Sequence, residues 1–227
     1  MLDLKICVIY IDIYGRKLGK LKIEFDMAFK QYSNLAEVLL ASKVSYQKSV
    51  FAITYPLTVP DILQEDISFT LYEVAYNVSE AAICENLIYP ILKSVWRNYT
   101  NEFSLWSHYS LKVNDELLGI PDYVFSKRSE KGQIFFESPF VAVVEAKKDN
   151  FTEGWSQCAL EMITLQQLNQ NSAQEIYGIV SNGDVWEFAS LQKDVFTTYL
   201  NKFQITDLTD LYGVLNTVLQ NIKRKLG

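Results

Sequence analysis

Apolar and polar positions along the chain alternate between two periods, and the switches mark its elements. Residues 4–14 and 20–26 read as strands joined around Tyr14-Gly15-Arg16-Lys17-Leu18-Gly19, with turn glycines bounding the connection. Asn34 to Ser42 suits a short helix, and the stretch from Val50 to Ser68 holds Pro56 and Pro60, which break regular structure. An N-terminal β-hairpin and helix extension (1–68) is therefore expected ahead of a main domain (69–227). Between Asn77 and Tyr99 the residues Ile88, Ile91, Leu92, Val95, Trp96 and Tyr99 recur at helical spacing, and Pro90 should kink or restart that helix.

Strands are expected at 103–113, 120–126 and 140–146, then a helix over 153–169 with Thr152 as N-cap. Residues 175–180 and 185–191 flank Ser181-Asn182-Gly183-Asp184, where Asn-Gly favours a tight hairpin turn. A strand over 195–205 and a helix over 208–225 complete the chain. This order predicts an α/β fold, a mixed central β-sheet flanked by helices.

The run Phe140-Val141-Ala142-Val143-Val144 is continuously apolar, as in a central strand buried on both faces, and it ends in Glu145-Ala146-Lys147-Lys148. The polar loop Lys127 to Pro139 precedes it. An antiparallel hairpin centred near Gln133 would set Asp122 almost opposite Glu145, and strand alternation puts Glu145 and Lys147 on one face. Two carboxylates about 4 Å apart repel by roughly 4 kcal/mol at an effective dielectric of 20. A divalent cation reverses that sign, and oxygen ligands suit Mg²⁺ or Mn²⁺. A Glu-x-Lys triplet alone arises by chance about once in a chain of this size, so its position at the end of a buried run carries the argument.

Composition narrows the classes. The 227 residues are 49% hydrophobic and 14% aromatic, enough for a sizeable core and too apolar for disorder. No run is long enough to span a membrane, and Asp3, Lys5, Asp12, Arg16, Lys17 and Lys20 interrupt any secretory apolar core, so no export signal is expected. Cys7, Cys84 and Cys158 are widely spaced without a Cys-x-x-Cys pair, which suits a reducing, cytoplasmic compartment. His108 is the only histidine, so a His-based zinc site or a Ser-His-Asp triad would depend on it, and a packing role is the simpler reading. The net charge of −6 argues against broad binding to nucleic acid through its phosphates, although Lys127, Arg128 and Lys131, Lys147 and Lys148, and Lys223 to Lys225 form local basic clusters.

Pro121-Asp122 with Glu145-Ala146-Lys147 resembles the signature of the PD-(D/E)XK nuclease superfamily, also called the restriction-endonuclease-like fold. The segment Ser79-Glu80-Ala81-Ala82-Ile83-Cys84-Glu85-Asn86-Leu87-Ile88-Tyr89-Pro90 is similar to the acidic helix that precedes that signature, with Glu80 the better match and Glu85 its understudy. Asn77 and Glu80 would otherwise read as a capping box. Downstream, Gly154-Trp155-Ser156-Gln157-Cys158-Ala159-Leu160-Glu161-Met162 supplies the glutamine many members carry, with Glu161 where others have a tyrosine. Together with Val180 to Phe188 the pattern looks like an uncharacterised bacterial subfamily, and the likeness spans about residues 70 to 191. The resemblance implies a nuclease, acting on DNA. Asp122, Glu145, the Ala146 carbonyl and Glu80 would bind Mg²⁺ or Mn²⁺, and Lys147 would orient water and stabilise phosphate charge. Gln157 would belong to the catalytic set. Paired cutting of a duplex would imply a homodimer. A nucleic-acid-binding or regulatory module that keeps the fold without cleaving is the competing expectation.

Overall fold

The run ending in Glu145 becomes the hub of a mixed sheet. The structure, a computed structural model, describes residues 8–11, 17–21, 32–113 and 117–226. Its first elements are β1 (Val8–Ile11), β2 (Lys17–Leu21), α1 (Leu35–Ala41), β3 (Ser45–Ser49), α2 (Asp61–Glu73), α3 (Glu80–Ile83) and α4 (Tyr89–Trp96). There follow β4 (Phe103–Ser107), β5 (Leu111–Lys112), β6 (Leu118–Gly119), β7 (Tyr123–Lys127), β8 (Phe140–Ala146), α5 (Phe151–Asn169), β9 (Ile176–Ser181), β10 (Val185–Gln192), β11 (Val195–Gln204) and α6 (Leu208–Leu226).

Seven strands form one sheet in the order β3-β11-β10-β9-β8-β7-β4. Pairs β8/β9 and β11/β3 are parallel and the other pairs in this sheet antiparallel. Helix α5 supplies the crossover that lets β8 and β9 run the same way. All seven residues of β8 are buried. Alternate residues serve two cores: Val143 packs with Val180, Cys158, Ala159 and Met162 on the α5 side, and Val144 with Leu92, Ile179 and Leu215 on the side of α4 and α6. The fold class is the one the pattern predicts.

Hairpin register follows the same reading. Tyr123 pairs with Val144 and Val124 with Val143, which sets Asp122 opposite Glu145. In the N-terminal hairpin Val8 pairs with Leu21 and Ile9 with Lys20; residues 17–19, expected in the turn, belong to β2, while residues 4–7 and 12–14 of the first expected strand, 14–16 of the turn and 22–26 of the second strand lie outside the described residues.

Three elements escaped the sequence reading: α2, β3 and the two-residue strand β6, which pairs with β5 outside the main sheet. The stretch taken as proline-broken holds α2, because Pro60, extended at φ −62° and ψ 138°, stands just before the helix where it needs no N–H. Strand β3, Ser-Tyr-Gln-Lys-Ser, is exposed throughout and has none of the apolar alternation that flags a strand. Residues 45–67, placed by the sequence in the N-terminal extension, thus add an edge strand to the main sheet and Phe51, Val59, Leu63 and Ile67 to its core.

Helix starts also differ. Asn150, not Thr152, caps α5, its side chain accepting from the Glu153 N–H. At Pro90 the helix restarts, as the sequence suggests, with the proline in the first turn of α4. One wide turn over Cys84–Ile88 joins α3 to α4, closed by the Tyr89 N–H donating to the Cys84 carbonyl, and it loosens the ladder where the proline ring would crowd the Asn86 carbonyl. Among the described residues no helix is long and apolar enough to cross a membrane.

Candidate functional site

Four of the predicted side chains meet at one end of β8, on the α5 side of the sheet. Lys147 follows the last residue of β8, and its N–H donates to the Ser181 carbonyl at 2.9 Å, extending the ladder to β9. Its ammonium lies 3.1 Å from Glu145 Oε1. Asp122 precedes β7, and its Oδ2 accepts from the Ala146 N–H at 2.7 Å. Glu80 arrives from the first turn of α3: its Oε1 accepts from the Lys148 N–H at 3.3 Å, and its Oε2 lies 3.8 Å from Lys147 Nζ. The cap of α3 is Ser79, whose Oγ accepts from the Ala82 N–H, so the Asn77–Glu80 capping box is not formed and Glu80 is free to face the lysines.

The remaining candidates are placed differently. Glu85 is exposed on the wide turn, away from the Lys147 contacts. Gln157 is half-buried on α5 and lies near Glu161.

Burial sets the electrostatics. Glu145 is 2% exposed and its Oε2 has no hydrogen-bond partner. Burial, and then the neighbouring Asp122, push its pKa up to about 8 against the downward pull of Lys147. Asp122 is raised by burial too, opposed by the Ala146 N–H, His108 and Lys147. Burial alone would lower Lys147, but Glu145, Glu80 and Glu153 outweigh it and hold the ammonium above its usual range.

Three residues carry more of the site than the sequence revealed. Glu161 is completely buried on the inner face of α5, and neither carboxylate oxygen has a hydrogen-bond partner. Burial, then Glu145 and Asp122, hold it well above the usual carboxylate range; the Gln157 amide is close enough to oppose this without reaching hydrogen-bond geometry. His108, expected only to pack, places Nε2 3.3 Å from Asp122 Oδ1 and Nδ1 2.8 Å from Ser107 Oγ. Its backbone N–H also donates to the Asp122 carbonyl, with φ at +50°. Only the β4–β7 register, which sets Ser107 beside Tyr123, brings it there. Gly154, in the first turn of α5, is bare where a Cβ would come within 2.8 Å of both Lys147 Cγ and Val180 Cγ1, so the helix can lie directly on the lysine stem.

The donors suit a hard divalent cation in kind. They are carboxylates in excess over Lys147 and Lys148, and Glu145 Oε2 and both Glu161 oxygens lack partners. Among the described residues, however, no three His, Cys, Asp or Glu side chains already converge as a metal-holding group, and both Asp122 oxygens are engaged. No protein-family model matches the chain, and no curated protein matches it at a significant level.

Proposed function

We propose that the chain is a Mg²⁺- or Mn²⁺-dependent nuclease of the PD-(D/E)XK superfamily, restriction-endonuclease-like in fold, that hydrolyses phosphodiester bonds in DNA. The observation that carries this reading is the buried Glu145 opposite Asp122, half-neutralised by Lys147 at 3.1 Å and keeping one oxygen without a partner. A buried carboxylate left in that state is costly unless a cation or proton meets it. Asp122, Glu145, Glu80 and the Ala146 carbonyl would hold the cation, which when bound supplies Lewis-acid polarisation and a more acidic water.

The chain's own groups do the rest. Lys147, kept charged by its acidic neighbours, offers N–H donors to a phosphate oxygen and stabilises charge developing there. Glu80 steadies Lys147 by its charge and the following backbone through the Lys148 N–H. Gly154 and the first turn of α5 shield the lysine stem from water. Buried, unpaired Cys84 and Cys158 fit a reducing cytoplasm, and paired cutting of a duplex would call for a homodimer.

The competing reading is a nucleic-acid-binding or regulatory module that keeps the fold and does not cleave. The engaged Asp122 oxygens favour a site that does not cleave, and the net charge of −6 favours a regulatory over a nucleic-acid-binding role for it. Incubating labelled single-stranded, duplex and branched DNA and RNA with the protein in Mg²⁺ or Mn²⁺ separates the two. Cutting that disappears in Lys147→Ala and in chelator supports the nuclease; intact substrates throughout, with Mn²⁺ binding lost in Glu145→Ala, support the module.

A further inference from the structure

Beside the candidate site, with His108 in its lining, a cleft of about 390 Å³ opens between α3, the wide turn that follows it, and the ends of β4 and β7. Its walls are Ala81, Cys84 and Glu85 on the helical side and His108 on the strand side, with Tyr89 and Tyr123 at its floor. The two tyrosine rings stack at 5.8 Å and 17°, and Lys93 Nζ sits 5.6 Å from the Tyr89 centroid, so the floor is rigid. The His108 side chain is 57% exposed and is held from three directions, by Ser107 Oγ, by Asp122 Oδ1 and edge-on by Tyr123. It is a fixed, flat ring with open surface, in direct contact with the Asp122 carboxylate assigned to the reaction.

Resting on the nuclease reading, we infer that this cleft receives an unpaired nucleobase of the strand being cut, packed against His108, so that the substrate is single-stranded or locally unpaired nucleic acid. Three observations converge on that occupant. The volume is at the small end of ligand clefts, roughly 300–1,000 Å³, a scale that suits one base and excludes a helix. The lining combines ring surface with hydrogen-bonding groups at the edge, Glu85, Ser107 and His108, the chemistry that reads a splayed-out base. Charge argues the same way. A duplex offers proteins chiefly phosphates, yet the net charge is −6, and Lys131, Lys223 and Lys225 are spent on Glu137, Glu102 and Glu175. An acidic protein gains its grip from bases, and only unpaired bases expose their faces.

The test is equilibrium binding of the full chain, in chelator so that nothing is cut, to a short labelled single strand carrying a fluorescent adenine analogue and to the blunt duplex of the same sequence. The single strand should bind at least about tenfold more tightly, with the analogue's emission changed. Ala81→Phe, on an exposed helix position, should fill the cleft and remove both the preference and the emission change while the melting temperature stays that of wild type; Ala81→Leu should do so in part. Equal affinity for strand and duplex, or indifference to Ala81→Phe, would overturn the inference. Single-strand binding without cutting in Mg²⁺ would leave it standing and refute the nuclease, whereas duplex cutting unaffected by Ala81→Phe would do the reverse.

Discussion

The Lys147 ammonium sits 3.1 Å from Glu145 Oε1 while the other Glu145 oxygen, equally buried, meets nothing. One positive charge thus serves a carboxylate that is also pressed by Asp122 and Glu161. Lys147→Met should abolish cleavage. In metal-free protein it should also cost more near pH 9 than near pH 6, because Lys147 is what lets the buried Glu145 ionise at about 8; without it the carboxyl must hold its proton or stand as an unpaired buried charge, whereas near pH 6 it carries the proton either way. Chemical denaturation at the two pH values reads the difference.

The pKa of Glu145 near 8 has a consequence for stability. Unfolded, the group loses its proton around the ordinary value of 4.5; folded, it keeps it to about 8. Between those values the native state binds more protons than the unfolded one, so stability falls as pH rises through that window. Asp122 and Glu161, raised as well, push the same way. Thermal melts in chelator from pH 5 to pH 8.5 should therefore show a falling midpoint, and Glu145→Gln should flatten the slope.

Gly154→Ala tests the roof over the lysine. Alanine is the better helix former by roughly 0.5–1 kcal/mol, but its Cβ would stand 2.8 Å from Lys147 Cγ and from Val180 Cγ1. Displacing them should cost about 1–3 kcal/mol. Because the lysine stem is what moves, cleavage should drop roughly 10–100-fold, with circular dichroism unchanged.

Glu161 offers the opposite sign. Replacing a fully buried carboxyl that has no partner by the isosteric, always neutral amide in Glu161→Gln should stabilise the chelated protein by about 1 kcal/mol at pH 8 and by less at pH 5.5. Calorimetric melts at both values check it.

How much of this was legible depended on how local the signal was. The run 140–146 and the loop before it announce a buried strand and its hairpin partner, and the period of two then fixes Glu145 and Lys147 on one face and Asp122 across from Glu145. Helix α2 was hidden by reading Pro60 as a break and not as the residue before a start, and β3 by being polar on both sides at an edge.

The amino-acid sequence by itself determined the elements that bury apolar residues at a regular period, the α/β class, and the placing of two carboxylates and a lysine at one strand end. Only the tertiary structure decided what surrounds them. His108 reaches Asp122 through the pairing of β4 with β7, Glu80 through the docking of α3, and Glu161 through the packing of α5 on β8. Those contacts join residues far apart in the chain, and the burial that shifts their proton affinities arises when the layers close, so no period or short motif encodes it.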